Sequence, residues 1–241
     1  MCLIVFAWQV IPNLPLIAAG NRDEYYERPA LPAHWWEDHP NVYAGRDLQG
    51  GGTWMGITRD GRFAAITNYR APSEFKADAP SRGKLVADYL TGDMRAQEYV
   101  DRLRDNASGY NGFNLLIGDG ENLIWFSNRS QDDERNGKPL ARGIYGLSNA
   151  SLDCCWPKVI RTKAQFASLL CQCAPEEAFF DMLADTTRAH DCRLPCTGVG
   201  IEFERVLSAV CIESPSYGTR SSTVVKMSGD RVAELYERTL K

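Results

Sequence analysis

The chain has 241 residues, 44% of them hydrophobic and 24% charged, with 27 basic and 31 acidic side chains and a formal net charge of −4. This length fits one large α/β layer structure around a single core, and the composition is that of a soluble globule. The two signs of charge are interspersed, which argues against nucleic acid or an anionic membrane as a partner, since both require a basic face.

An apolar run starts directly behind Cys2 and predicts a strand over 2–10. A second strand is predicted over 15–21, with Ile11-Pro12-Asn13-Leu14-Pro15 between them, so the pair reads as a hairpin of buried strands. No basic residue precedes Arg22, and Pro12 and Pro15 break any helix. The start therefore reads neither as a signal peptide nor as a transmembrane segment, and the chain is expected to be cytoplasmic. Further strands are predicted over 42–45, 54–58 and 63–68. Helices follow over 84–90, with Ser81 as a cap, and over 95–106. Strands over 114–118 and 123–127 flank the tight-turn signal Asp119-Gly120. A charged, exposed loop over 130–139 leads to a strand over 143–148. Helices over 157–172 and 175–187 come next, the latter with Pro175 in its first turn. The chain closes on strands over 208–213, 221–228 and 231–239, the last two around Gly229-Asp230. Strands dominate both ends and helices fill two internal blocks. That order suits an α+β fold of two sheets covered by helices, a four-layer αββα sandwich formed by one domain over 1–241.

The eight cysteines lie at 2, 154, 155, 171, 173, 192, 196 and 211. They form no paired C-x-x-C knuckles, and only His190 is close in sequence to any of them. No metal site is expected, and in a reducing compartment these are free thiols.

Cys2 stands apart from the other seven. Methionine aminopeptidase tolerates a small residue after the initiator, and removal of Met1 would put a thiol and a free α-amine on one residue. The amine, with an ordinary pKa of about 7.7–8.0, accepts the thiol proton near neutral pH, so nucleophile and base arrive together. The plainer reading is a small buried hydrophobe. If the first two strands pair, Asn21-Arg22-Asp23-Glu24 returns beside Cys2. On a strand Asn21 and Asp23 face one way and Arg22 and Glu24 the other, and one of these pairs meets Cys2. An Arg beside a thiol favours the thiolate, while a carboxylate, Asp23 or Glu24, would orient the amine.

These residues carry a resemblance. Cys2, Pro15-Leu16-Ile17 and Asn21-Arg22-Asp23-Glu24 followed by Arg28-Pro29 resemble the NRDE family, also called the transport and Golgi organization protein 2 family. Four more stretches match in order: Gly51-Gly52-Thr53-Trp54-Met55-Gly56, Ala65-Ile66-Thr67-Asn68-Tyr69-Arg70, Gly112-Phe113-Asn114-Leu115-Leu116-Ile117-Gly118-Asp119, and Tyr217-Gly218-Thr219-Arg220-Ser221-Ser222-Thr223. The family is similar in fold to N-terminal nucleophile hydrolases, and there to the choloylglycine hydrolase and penicillin V acylase group, which cut amide bonds with an N-terminal Cys. The resemblance implies a catalytic set of Cys2, Arg22, Asp23, Asn68, Asn149 and Arg220. Ser148-Asn149-Ala150-Ser151 with Trp156 looks like the stretch that supplies the oxyanion Asn, Asn68 looks like the second polar contributor, and Arg220 resembles the late Arg near the nucleophile. Without the resemblance, Asn68 and Asn149 read as turn or capping residues and Arg220 as a surface or ion-paired residue. In the acylases Arg and Asp are usually separated by two residues; here Arg22 and Asp23 are adjacent, so both cannot face Cys2.

Asn21, Glu24, Trp54, Tyr69 and Trp35 are the candidate ligand contacts, although Trp54 also reads as core. Trp35-Trp36, with His34 and His39, forms either a loop folded over a sheet edge or a wall of an apolar pocket. Two functions are compatible with this pattern. One is a cysteine amidohydrolase acting on a small, partly apolar amide and needing no cofactor. The other is a non-catalytic carrier of an amphipathic ligand such as haem, since members of the family are implicated in haem trafficking and His and Cys can ligate haem iron.

Overall fold

The computed structural model describes residues 2–241. Strands β1 (Cys2–Ile11) and β2 (Leu14–Tyr25) form the expected hairpin, with Asn13 at positive φ in the turn. There follow β3 (Ala30–Trp35), β4 (Val42–Asp47), β5 (Met55–Thr58) and β6 (Phe63–Asn68), helices α1 (Gly83–Thr91) and α2 (Ala96–Arg104), and strands β7 (Phe113–Gly118), β8 (Leu123–Ser127) and β9 (Gly143–Leu147). Helices α3 (Pro157–Cys171), α4 (Glu176–Leu183) and α5 (Ile201–Leu207) precede β10 (Tyr217–Met227) and β11 (Ala233–Thr239). All pairings are antiparallel. One sheet has the order β11-β10-β2-β1-β9, the other β3-β4-β5-β6-β7-β8.

Alternation along β1 builds the layers. Ile4, Phe6 and Trp8 join Cys2 in the core facing the second sheet, while Leu3, Val5 and Ala7 pack under Val159 and Phe166 of α3 and Phe179 of α4. On the far side, α1 and α2 cover the second sheet through Leu85, Tyr89 and Val100. Strands buried on both faces read as unbroken apolar runs, which is why β1, β6 and β7 are so plain in the sequence.

Several expectations are corrected. The segment 208–213 is not a strand: Cys211 N–H donates to Asp185 O and Ile212 N–H to Thr219 Oγ1, so its backbone is satisfied by a loop and a side chain. The helix expected to run to 187 stops at Leu183, and Pro175 stands just before it. Ser81 gives α1 no side-chain cap. The stretch 30–35, read in part as loop, is edge strand β3, and β2 runs on to Tyr25, which places the four polar residues 21–24 inside the sheet. No helix among the described residues is long and apolar enough to cross a membrane.

Candidate functional site

The register of the first hairpin sets Cys2 directly opposite Arg22. Paired residues share a face, so Arg22 and Glu24 stand on the Cys2 side, and Asn21 and Asp23 turn to the helix-covered side. Cys2, 7% exposed, lies on the floor of a cleft of about 540 Å³. Its walls come from the end of β2, the start of β3, the loop before β5 and the approach to α1.

Arg22 Nη2 lies 3.7 Å from Asp47 Oδ2, and Arg28 Nε reaches the same oxygen at 2.7 Å. Asp47 also accepts backbone N–H bonds from Gln49 and Gly50 at 3.0 and 2.8 Å. Burial pushes the Cys2 thiol up and the Asp23 carboxylate adds to this, while the Asp23 amide and the Arg22 guanidinium pull the other way. Asp23, 2% exposed, accepts from Thr219 Oγ1 at 2.7 Å, and Tyr217 Oη donates to its carbonyl at 3.2 Å. Burial lifts the Asp23 carboxyl above the usual range, opposed by Lys158, by the Thr219 hydrogen bond and by Arg70. The Met1 α-amine, and with it the question of which carboxylate holds an amine at Cys2, lies outside the described residues.

At this end the two sheets are stitched together. Ser148 Oγ donates to Cys2 O at 3.1 Å, and Thr67 Oγ1 donates to Ser148 O at 2.5 Å. Asn114 Nδ2 reaches Thr67 Oγ1 and Ala150 O at 3.1 and 3.0 Å, and its Oδ1 accepts from Trp125 Nε1 at 3.2 Å. Asn149, fully buried, donates from Nδ2 to Asn68 O at 2.8 Å, and its own carbonyl accepts from Arg70 N–H at 2.7 Å. An amide nitrogen carries two N–H donors, and one of them is aimed at Asn68.

The structure brings Cys2, Arg22, Glu24, Trp54, Asn68 and Arg220 to the cleft; Asp23 borders it with its carboxyl turned to Thr219 on the other face, and the buried Asn149 does not line it. Arg220 is the extra residue of a bulge between Thr219 and Ser221, and its guanidinium bonds the carbonyls of Tyr25, Arg28 and Lys241. It is a clamp on the rim, with its Nε and Nη1 donors spent on backbone. Three candidate ligand contacts stand elsewhere. Asn21 faces the helices, donating to Leu183 O and Val210 O. Trp35 sits on the outer edge strand, with Arg59 stacked 3.6 Å over its ring. Tyr69 does not line the cleft; its N–H donates to Gly112 O at 2.8 Å. Nor does the 34–39 stretch form a wall: Trp36 is buried with Nε1 on Ala44 O, and His34 Nδ1 pairs with Pro32 O. The wall is made instead by Ala30, Leu31 and Pro32.

Sequence reasoning missed Arg82, Asp47 and Glu237. Arg82 lines the cleft within electrostatic reach of Cys2 and Glu24, bonds Gly112 O at 3.0 Å, and has no carboxylate within 4 Å among the described residues. Its only local signal was its place before a helix start. Glu237 comes from β11 and accepts from Ala33 N–H at 2.8 Å. Among the described residues no three His, Cys, Asp or Glu side chains converge as a metal site.

A family model described as "Transport and Golgi organisation 2" matches residues 1–241. The bovine Transport and Golgi organization protein 2 homolog is 36% identical over 100% of this chain and 93% of its own length; the human homolog is 33% identical with the same coverage. Among solved structures, a Caenorhabditis elegans N-acylethanolamine-hydrolyzing acid amidase ortholog aligns over the full length of both chains with a TM-score of 0.50 and 10% identity, a likeness of fold. Full-length agreement with the family model and with relatives above 30% identity establishes that this chain belongs to the transport and Golgi organisation 2 family, on an N-terminal nucleophile hydrolase-like fold.

Proposed function

We propose that the protein is a cysteine amidohydrolase acting on a non-peptide C–N bond of a small, partly apolar substrate. The observation that carries this reading is the position of Cys2: a thiol on the floor of a 540 Å³ cleft with a guanidinium directly across the strand pair. After removal of Met1, the Cys2 amine takes the thiol proton, the thiolate attacks the substrate carbonyl, and the same amine returns the proton to the leaving nitrogen. Water then cleaves the thioester. Arg22 stabilises the thiolate. The side-chain amide of Asn68, which lines the cleft, is the donor for the oxyanion, and the buried Asn149 holds Asn68 in place through Nδ2 on its carbonyl. Trp54, Leu31 and Phe75 offer apolar wall to the substrate. The C. elegans protein of similar fold is by its title an amide-hydrolysing enzyme; fold alone does not carry activity, so the thiol and its surroundings bear the weight. Eight cysteines, several of them exposed, suit a reducing compartment and support a cytoplasmic setting. The test is the intact mass of protein from its native host with and without an acylating β-lactone. The expected result is loss of Met1 and one adduct mapped to Cys2. Retained Met1 with an unreactive Cys2 overturns the reading.

A second reading is favoured by the charge of the same cleft. Arg22, Arg28, Arg46, Arg82, Arg220 and Lys241 line it together with the acidic residues Asp23, Glu24, Asp47 and Glu237, and Arg82, with no carboxylate within 4 Å among the described residues, stands beside the apolar wall, a combination that suits an amphipathic anion such as haem held for transfer rather than reaction. Titration of haem should then shift its Soret band, and Arg82→Gln should weaken that binding. No spectral change and no passage of haem to an apo-acceptor would remove this reading.

A further inference from the structure

The cation of the cleft that the fold accounts for least is Arg82. Arg22 and Arg28 reach Asp47, and Arg46 reaches Asp38 at 2.6 Å. Arg220 bonds backbone carbonyls, and Lys241 Nζ lies 4.8 Å over the Tyr26 ring. Arg82, half-buried, makes one hydrogen bond, from Nη1 to Gly112 O at 3.0 Å, and has no carboxylate within 4 Å among the described residues. Glu24 is in its field but is engaged elsewhere: its Oε1 accepts from the Tyr25 N–H at 2.9 Å and its Oε2 lies 4.0 Å from Arg28 Nε. The other edge of the guanidinium, Nε with Nη2, therefore has no protein acceptor among the described residues. Burial pulls the Arg82 guanidinium below its ordinary value, so the fold carries a desolvated charge that no ion pair offsets.

Two sets of contacts fix where that open edge stands. Gly112 O, which holds Arg82, also accepts from the Tyr69 N–H at 2.8 Å, so Arg82 is tied to the residue next to Asn68, the oxyanion donor of the reading above. On the other side the Thr53 N–H donates to Gly83 O at 3.2 Å, which ties the start of α1 to the segment of Trp54. The Trp54 ring in turn rests on β2, where a Cβ on Gly20 would fall 3.3 Å from its Cη2. Arg82, Asn68, Trp54 and Cys2 thus line one cleft of about 540 Å³, with Leu31 and Phe75 as apolar wall. A guanidinium anchored through one nitrogen and open along the other edge presents two parallel N–H donors, the geometry that fits a carboxylate. We propose that Arg82 anchors a carboxylate of the ligand, which narrows the substrate to a small amide that carries an acid group as well as an apolar chain. The substrate class rests on the reading of Cys2 as the nucleophile. No bond forms or breaks at Arg82; it holds the acid group while the chemistry proceeds at Cys2.

The experiment is isothermal titration at pH 7 of the full chain, and of Arg82→Gln and Arg82→Lys, with two acids and their neutral carboxamides. The acids are N-octanoylglycine, with the carboxylate on the amine part, and N-octylglutaramic acid, with the carboxylate on the acyl part. Labelling of Cys2 by an acylating β-lactone is followed in the same proteins. The expected result is at least one acid that binds about tenfold or more tightly than its carboxamide. That preference should vanish in Arg82→Gln and return in part in Arg82→Lys, which keeps the charge but not the fork. Equal affinity of each acid and its carboxamide in the unsubstituted protein, or no binding of either acid, overturns the proposal without recourse to a variant. A preference that survives in folded Arg82→Gln overturns the role of Arg82. Cys2 that stays unlabelled in every protein overturns the nucleophile reading and the substrate class with it, and an Arg82-dependent preference in the same titrations then shows that the failure lies with the nucleophile and not with the carboxylate anchor.

Discussion

Asn21 and Arg22 leave β2 on opposite faces, and their replacement should separate stability from reactivity. The Asn21 amide donates to Leu183 O and Val210 O at 2.9 Å each and accepts from Ser222 Oγ at 2.7 Å, all buried. Asn21→Ala strands these groups without water, and at about 1–3 kcal/mol for a stranded group the total loss should be about 3 kcal/mol. Urea unfolding should show a clearly lower midpoint, while Cys2 in the remaining folded protein reacts at its usual rate. Arg22→Gln should do the reverse. Asp47 keeps Arg28 and two backbone N–H bonds, so stability should move by no more than about 1 kcal/mol. The thiol loses a neighbouring cation, its pKa rises, and alkylation at pH 7 should slow several-fold. Alternation alone shows that one pair among residues 21–24 meets Cys2. Which pair depends on register, and register is set by the Ile11-to-Leu14 turn and the packing of both faces, which no single residue type announces.

At the scale of elements, the cleft wall depends on a close approach between the loop before β5 and the start of α1. A Cβ on Gly52 would fall 2.3 Å from the backbone carbon of Gly83 and 2.4 Å from its oxygen. Gly52→Ala must therefore push α1 away from the loop and carry the adjacent Arg82 with it. A loss of about 2–3 kcal/mol is expected, together with a changed Cys2 reactivity, read by thermal unfolding and alkylation of the same sample. Gly51 is the contrast. It has a φ of +71° and open space around its missing Cβ, so Gly51→Ala should cost about 1 kcal/mol from backbone strain alone and leave the cleft intact. The Gly51-Gly52-Thr53-Trp54 stretch is conspicuous in the sequence, but the two glycines serve different purposes that only the packing distinguishes. The same limit explains the elements that were misread. Ser208-Ala209-Val210-Cys211-Ile212 has a strand's apolar character, and burial supplies it without a partner strand. Edge strand β3 contains Pro32 and is mostly half-buried or exposed, so it lacks the apolar alternation of a covered strand. Helix α5 has seven residues, two turns, too few for a helical period to stand out.

For the molecule as a whole, the pH dependence of stability should carry the signature of Lys158. On the acid side, hydrogen bonds outweigh burial and hold the carboxyls of Asp47 and Asp119 below the usual range. Their stabilisation is complete above the ordinary carboxylate pKa and is lost as pH falls through the lowered values. On the alkaline side the signs oppose one another. Burial raises the Cys2 thiol above its ordinary value and pushes the Tyr89 phenol up to about 12, so the folded chain keeps protons that the unfolded chain releases, and these groups lower stability as pH rises past 9 and 10. Lys158 acts in the other direction. Its folded value of about 8 lies below the ordinary 10.5, so between the two the unfolded chain holds a proton that the folded chain has released, and stability rises with pH. Below pH 8 the folded state bears the full penalty of this charge, about 3 kcal/mol at roughly 1.4 kcal/mol per unit. Lys158→Met should therefore be the more stable protein at pH 7 by up to about 3 kcal/mol, with the advantage shrinking steadily toward pH 10.5. Urea midpoints of the two proteins across this range isolate the effect, because the contributions of Asp47, Asp119 and Tyr89 cancel in the difference. A difference that does not vary with pH would mean that Lys158 titrates as an ordinary lysine.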